Sequence, residues 1–183
     1  MTFAETVTAG GVVVFPADTV YGLACDPENA DAVERLYALK GRPPDKPAAV
    51  MFFSLAAVPD LGPRTRALAE RLLPGAVTLL VPSDRYPLAG GAGTLGVRVP
   101  ELPAYAGVPP VLQTSANLAG APDARRLADV PRAIRDGADL VIDGGELPGT
   151  PSTVIDLRGY EPGGDPVIVR PGAVPEAVIR SLA

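Results

Sequence analysis

Histidine is absent from the 183 residues, and cysteine occurs once, at Cys25. The first absence removes every mechanism that turns on an imidazole base, and the two together remove zinc sites built from His and Cys. A lone cysteine also rules out a disulfide framework and is consistent with a reducing compartment. Any general base must therefore be a carboxylate, a lysine, a tyrosine, the thiol or the substrate itself. No apolar run approaches the length of a membrane span. The opening "MTFAETVTAG" has no basic segment followed by an apolar stretch, so no signal peptide is read and a cytoplasmic location is the expectation. The P-loop and the G-x-S-x-G elbow are both missing. Positive charge is in short supply as well: the net charge is −5. That balance argues against a general nucleic-acid binder but leaves room for a local basic groove.

What is present suits one globular domain over residues 1–183. The apolar share is 47% and the charged share 20%, both ordinary for a folded domain. The 22 prolines and 20 glycines are spread along the chain and punctuate many short elements. Short β-branched or apolar runs read as strands at 11–16, 48–53, 76–81, 94–99, 110–115, 139–145, 152–157 and 166–170. Helices are expected over 29–40, capped by Asn29 and with Val33, Leu36, Tyr37 and Lys40 on one face, and over 64–75, ended by Pro74. Two more are expected over 130–137, capped by Asp129 with Pro131 in its first turn, and over 175–182. Near-continuous apolar strands imply a sheet covered on both faces. The fold class is α/β (α+β three-layer): a twisted mixed sheet of about seven strands with helices on both faces. The long irregular stretch 82–93 is a candidate mobile flap.

Five clusters could carry chemistry. In "ALKGRPPDKP", Lys40, Arg42 and Lys46 crowd a segment stiffened by Pro43, Pro44 and Pro47. Lys40 alone is explained by the dipole at a helix C-terminus, but the trio in a low-entropy loop fits phosphate recognition. Asp18 and Thr19 follow a strand end, where ligands commonly bind, although a plain turn explains them equally well. Arg98 alternates with Val97 and Val99 and so faces away from them. Buried, it needs an anion, either a protein carboxylate or a ligand carboxylate. Thr114, Ser115 and Asn117 close a strand and could bind phosphate or cap a helix. Ser152 and Arg170 sit at the ends of late strands. The residues alone stop at an anion-binding α/β domain.

Seven segments in order, "FPADTVYGLACDP", "LYALKGRPPDKP", "LPGAVTLLVP", "LGVRVP", "TSANLAG", "STVIDL" and "VIVRPG", resemble the YrdC/Sua5 family of L-threonylcarbamoyladenylate synthases. The resemblance covers about residues 11–172, and its signature pairs are Lys40/Arg42 and Ser115/Asn117. It looks like the short, single-domain form. The resemblance implies a concave basic cavity and an enzyme that condenses L-threonine, bicarbonate and ATP to threonylcarbamoyl-AMP plus pyrophosphate. The product would pass to a separate transferase that builds N6-threonylcarbamoyladenosine in tRNA. Lys40 and Arg42 would be the catalytic pair, gripping ATP phosphates with Lys46, Ser115, Asn117 and Arg170, while Thr94 lines the ATP side. Thr19, Tyr21, Arg98 and Ser152 would face threonine, with Arg98 on its carboxylate. Mg²⁺ would arrive with ATP, held by phosphates rather than by a protein metal site. Direct tRNA binding does not suit the acidic chain. Lys46 and Met51 stand where many longer relatives carry Asn and His. An RNA-binding module of the same fold and a carbamoyl-transfer enzyme using carbamoyl phosphate are the alternatives.

Overall fold

Alternation along the apolar runs decides which way each strand faces, and one nine-stranded sheet results. The computed structural model describes residues 1–89, 91 and 93–183. The strands are β1 (Val13–Pro16), β2 (Tyr21–Cys25), β3 (Ala49–Met51), β4 (Val77–Pro82), β5 (Thr94–Arg98), β6 (Val111–Ser115), β7 (Leu140–Val141), β8 (Thr153–Asp156) and β9 (Val167–Arg170). Their spatial order is β7-β1-β2-β6-β3-β5-β4-β8-β9. The β1–β7, β3–β5 and β4–β8 pairs are parallel and the others antiparallel. The mixed α/β class expected from the sequence therefore holds, with more strands than the seven expected. The one strand that lies outside the eight apolar runs is β2. Its "YGLAC" run lies in none of the stretches expected as strands, yet it is buried throughout and pairs with both β1 and β6.

The helices are α1 (Phe3–Thr8), α2 (Ala30–Lys40), α3 (Pro63–Leu72), α4 (Arg132–Gly137) and α5 (Glu176–Leu182). They cover the two faces unequally. Residues from α2, α3, α4 and α5 pack into the large core with Val14, Leu23, Leu79, Val97, Leu112 and Ile155. On the other face only α1 contributes, through Phe3 and Val7, to a smaller cluster with Phe15, Met51 and Val111. The rest of that second face is where the cavity lies. Helix α1 was not foreseen. It is six residues long and begins with a capping box in which Thr2 and Glu5 satisfy each other's backbone N–H groups.

Local chemistry sets the ends of α2. Asn29 Oδ1 accepts from Ala32 N–H at 3.0 Å, as its residue type predicts. Gly41, at φ +63°, ends the helix in the left-handed region, where a Cβ would be strained. The expected cap at Asp129 is corrected. Its carboxylate instead accepts from Arg126 N–H at 3.0 Å and closes a single 3₁₀ turn, while α4 starts from Pro131 without a side-chain cap. Helix α3 ends at Leu72, ahead of Pro74. The proposed flap at 82–93 includes Gly90 and Ala92, which lie outside the described residues. Within its described part, Tyr86 and Ala89 are buried and Ala48 N–H donates to Ala89 O at 2.7 Å. No described helix is long and apolar enough to cross a membrane.

Candidate active site

The second face of the sheet holds a cavity of about 530 Å³, within the range of roughly 300–1,000 Å³ typical of ligand pockets. Its floor is small, with Ala49 of β3 opposite Gly96 of β5. Around that floor stand Arg42, Arg98, Arg158 and Arg170, the hydroxyls of Thr19, Thr78, Thr94, Thr114, Ser115 and Ser152, and one carboxylate, Asp123. These residues come from both ends of the chain. Four arginines thus line one cavity in a chain that is acidic overall.

Arg98 is the most buried of them, and its partner is a protein carboxylate. Its Nη2 donates to Asp18 Oδ1 at 2.6 Å, and both side chains are almost fully enclosed. Nη1 donates to Gln113 Oε1 at 3.3 Å. Burial pulls the Arg98 pKa below its ordinary value, Asp18 opposes this, and nearby Arg170 adds to the lowering. Among the described residues, Arg98 Nε and the hydroxyl oxygen of Thr19 are buried with no hydrogen-bond partner. Leaving such groups unpaired is costly, so both mark places where a ligand atom would be stabilised. At the β8–β9 end, Arg170 Nη2 donates to Ser152 O at 2.7 Å. Ser152 Oγ and Thr78 Oγ1 share a hydrogen bond of 2.8 Å.

The cation-rich segment 40–47 is held from within. Arg42 donates through Nε to Lys46 O at 3.3 Å and through Nη2 to Pro47 O. Tyr37 Oη donates to the same Lys46 carbonyl at 2.8 Å. Lys40 lies one layer beneath the cavity wall, 4% exposed. Its ammonium is surrounded by Ser115 O (2.6 Å), Ser115 Oγ (3.2 Å), Asn117 O (3.0 Å) and Asn117 Oδ1 (2.6 Å). Ser115 Oγ also donates to Asn117 Oδ1 at 2.6 Å. Burial first, then the charge of Arg42, pushes the Lys40 pKa down to about 8, with Asp123 opposing.

The structure therefore brings Thr19, Arg42, Thr94, Arg98, Ser115, Ser152 and Arg170 to one cavity wall. Four residues assigned from the sequence are not in that wall. Lys40 and Asn117 sit behind Ser115, because the ammonium is consumed by the 115–117 segment. Lys46 lines an adjoining cavity of about 620 Å³ beside Tyr37 and Leu88, which shares Arg42 and Pro47 with the first. Tyr21 alternates with Gly22 and points into the helix-covered core, where its hydroxyl meets Asp143 Oδ1, Gly145 O and Gly144 N–H at 2.9–3.0 Å. Met51 is fully buried in the smaller cluster. The sequence reading missed Gln113, Thr78, Asp123 and Arg158. Strand alternation with Arg98 and Ser115 offered a signal for the first two, but nothing distinguished Asp123 or Arg158 from surface charge.

The Sua5/YciO/YrdC family model, described as "Telomere recombination", matches residues 5–172. The chain belongs to the Sua5/YciO/YrdC family. A "Threonylcarbamoyl-AMP synthase" of Pseudomonas paraeruginosa is 39% identical over 173 residues, covering 84% of this chain and 90% of that protein. One of Bacillus subtilis is 32% identical over 185 residues, covering 93% of this chain and 52% of that protein. The chain thus spans about half the length of this second relative. The solved structure of Pyrococcus abyssi Sua5 complexed with L-threonine superposes with a TM-score of 0.87 at 31% identity, over 98% of this chain and 55% of that one.

Proposed function

We propose that this family member is an L-threonylcarbamoyladenylate synthase that condenses L-threonine, bicarbonate and ATP. The observation that carries the reading is the convergence of Arg42, Ser115, Arg170, Arg98 and Thr19 on one cavity, with two buried polar atoms left for a ligand. The relatives' names and the threonine complex of the Pyrococcus protein support the choice of substrates.

In this reading the phosphates lie against Arg42, Ser115 and Arg170. Lys40 adds its charge from behind Ser115 and fixes the serine hydroxyl and Asn117. The amino acid lies at the Arg98–Thr19 end. The threonine amine and bicarbonate form a carbamate with loss of water. A carbamate oxygen attacks the α-phosphorus, the bond to the β-phosphate oxygen breaks, and pyrophosphate leaves. The carbamate is itself the nucleophile, so a chain without histidine needs no imidazole base. Its cations supply position and charge stabilisation, as phosphoryl-type transfers require.

Magnesium fits as an ion carried by ATP. No described group of three or more His, Cys, Asp or Glu side chains could hold a metal, and Asp123 is the one carboxylate in the described wall. That is a donor set suited to a phosphate-bound ion that keeps most of its water. When bound, it would neutralise charge on the departing pyrophosphate.

Pyrophosphate release from ATP tests the proposal. It is expected to require threonine and bicarbonate together. ATP turnover indifferent to threonine would overturn the assignment.

A further inference from the structure

We propose that Tyr21 is a positioning residue for the reaction: its buried hydroxyl holds the strap 142–152, and the strap in turn sets Thr19 and Ser152 in the cavity wall. The inference rests on the synthase reading. The strap leaves β7 at one edge of the sheet and leads to β8, next to the other edge. It is irregular backbone, and its last residues, Pro151 and Ser152, stand in the cavity wall. A segment of this kind takes its position from a few anchors rather than from a hydrogen-bonded ladder.

The first anchor is Tyr21. Its side chain is fully buried, and a phenyl ring would fill nearly the same space. What the hydroxyl adds is a polar group that is costly to bury unless it is paired. Among the described residues, its partners are all on the strap. Gly144 N–H donates to it at 2.9 Å, and Asp143 Oδ1 and Gly145 O lie 3.0 Å away as acceptors for its one hydrogen. Asp143 Oδ1 also accepts from Gly145 N–H at 3.0 Å, so the strap turns tightly around the phenol oxygen.

The other anchors lead from this turn to the cavity. Leu147 N–H donates to Arg125 O at 2.9 Å, and Gly149 N–H donates to Thr19 O at 2.9 Å. Gly149 stands at φ +87°, and a Cβ there would lie 2.4 Å from Arg125 Cδ, so glycine lets the strap close against Arg125. The Thr19 carbonyl is thereby tied to the same strap that ends in Ser152. The main chain of Tyr21 makes matching ties: its N–H donates to Ala124 O at 2.9 Å, and its carbonyl accepts from Ala116 N–H at 2.8 Å. Tyr21 thus fixes, from outside the cavity, the segments that carry Ser115, Asp123 and Ser152. The main-chain ties survive a change of side chain, whereas the hold on the strap depends on the hydroxyl.

The test joins hydrogen exchange by mass spectrometry to steady-state kinetics of pyrophosphate release, both on the full chain. Tyr21→Phe keeps the ring and the main-chain bonds and removes only the hydroxyl. Exchange should quicken at the amides of 143–149 and stay unchanged in α2, β3 and β5. The KM for L-threonine, placed at the Thr19 end, should rise by about tenfold, with the KM for ATP little changed. A merely structural loss would lower kcat through the active fraction and leave both KM values alone. Asp143 is exposed and supplies variants that leave the core untouched. Asp143→Ala should shift exchange and threonine KM in the same direction, and Asp143→Asn, which keeps an acceptor oxygen for Tyr21, should restore both. Unchanged strap exchange in Tyr21→Phe and Asp143→Ala, or faster exchange with an unchanged threonine KM, would overturn the role of Tyr21 and leave the synthase reading intact. Absence of threonine-dependent pyrophosphate release in the wild type would overturn both.

Discussion

Lys40 shows what a single residue does here. Its ammonium has three hydrogens and four oxygen neighbours within 3.2 Å, so it organises Ser115 and Asn117 before it serves any ligand. Its lowered pKa gives a signed prediction. Between about 8 and the ordinary 10.5, the unfolded chain holds a proton that the folded chain has lost, so raising the pH through this window makes this group's contribution to stability more favourable. The effect on binding runs the other way: ATP affinity, measured by titration, should hold up to about pH 8 and weaken above it. Lys40→Arg should remove that alkaline limb, since a guanidinium stays charged. A second prediction concerns Asp18. Removing one partner of a buried ion pair strands the other, so Asp18→Asn should cost about 3–5 kcal/mol in denaturant unfolding. The sequence made Arg98 legible as a buried cation needing an anion, because its neighbours are apolar and alternation turns it away from them. It left open whether that anion was protein or ligand. Asp18 is 80 residues away along the chain, and nothing local announces the pairing.

At the scale of elements, the site depends on where α2 stops. Gly41 swings the chain out of the helix, and the carbonyls of Lys46 and Pro47 then hold the Arg42 guanidinium. Gly41 has open space where a Cβ would be, so the cost of a side chain there is backbone strain alone. Gly41→Ala should destabilise by about 1–2 kcal/mol and raise the KM for ATP more than that for threonine. Thermal unfolding and steady-state kinetics would measure the two effects. Helix α2 was readable because its cap and its apolar face agree with one another. Strand β2 was not, because Asp18 and Gly22 on either side of its start are turn residues, and only pairing with β1 and β6 makes a strand of 21–25. The same miss misplaced Tyr21. Once 21–25 is a strand, alternation carries the tyrosine away from the cavity.

Across the whole molecule, four helices shield one face of the sheet, and α1 covers only part of the opposite face, which leaves the cavity there. The strand order brings β3, β5 and β6 side by side at the centre, with β4, β8 and β9 beyond them. This is how residues from 19 to 170 reach one wall. The mixed α/β class was legible from strand and helix periods. The uneven covering was not, because apolar alternation shows that a face is buried and does not show by what. The central claim is that this open face holds an amino acid and a nucleotide together, in position to react. Mass spectrometry of the full chain incubated with ATP, magnesium, L-threonine and carbon-13 bicarbonate tests it most directly. The account predicts a threonylcarbamoyl-AMP species that carries the label and disappears when threonine is left out. Consumption of ATP with no labelled mixed anhydride would contradict it.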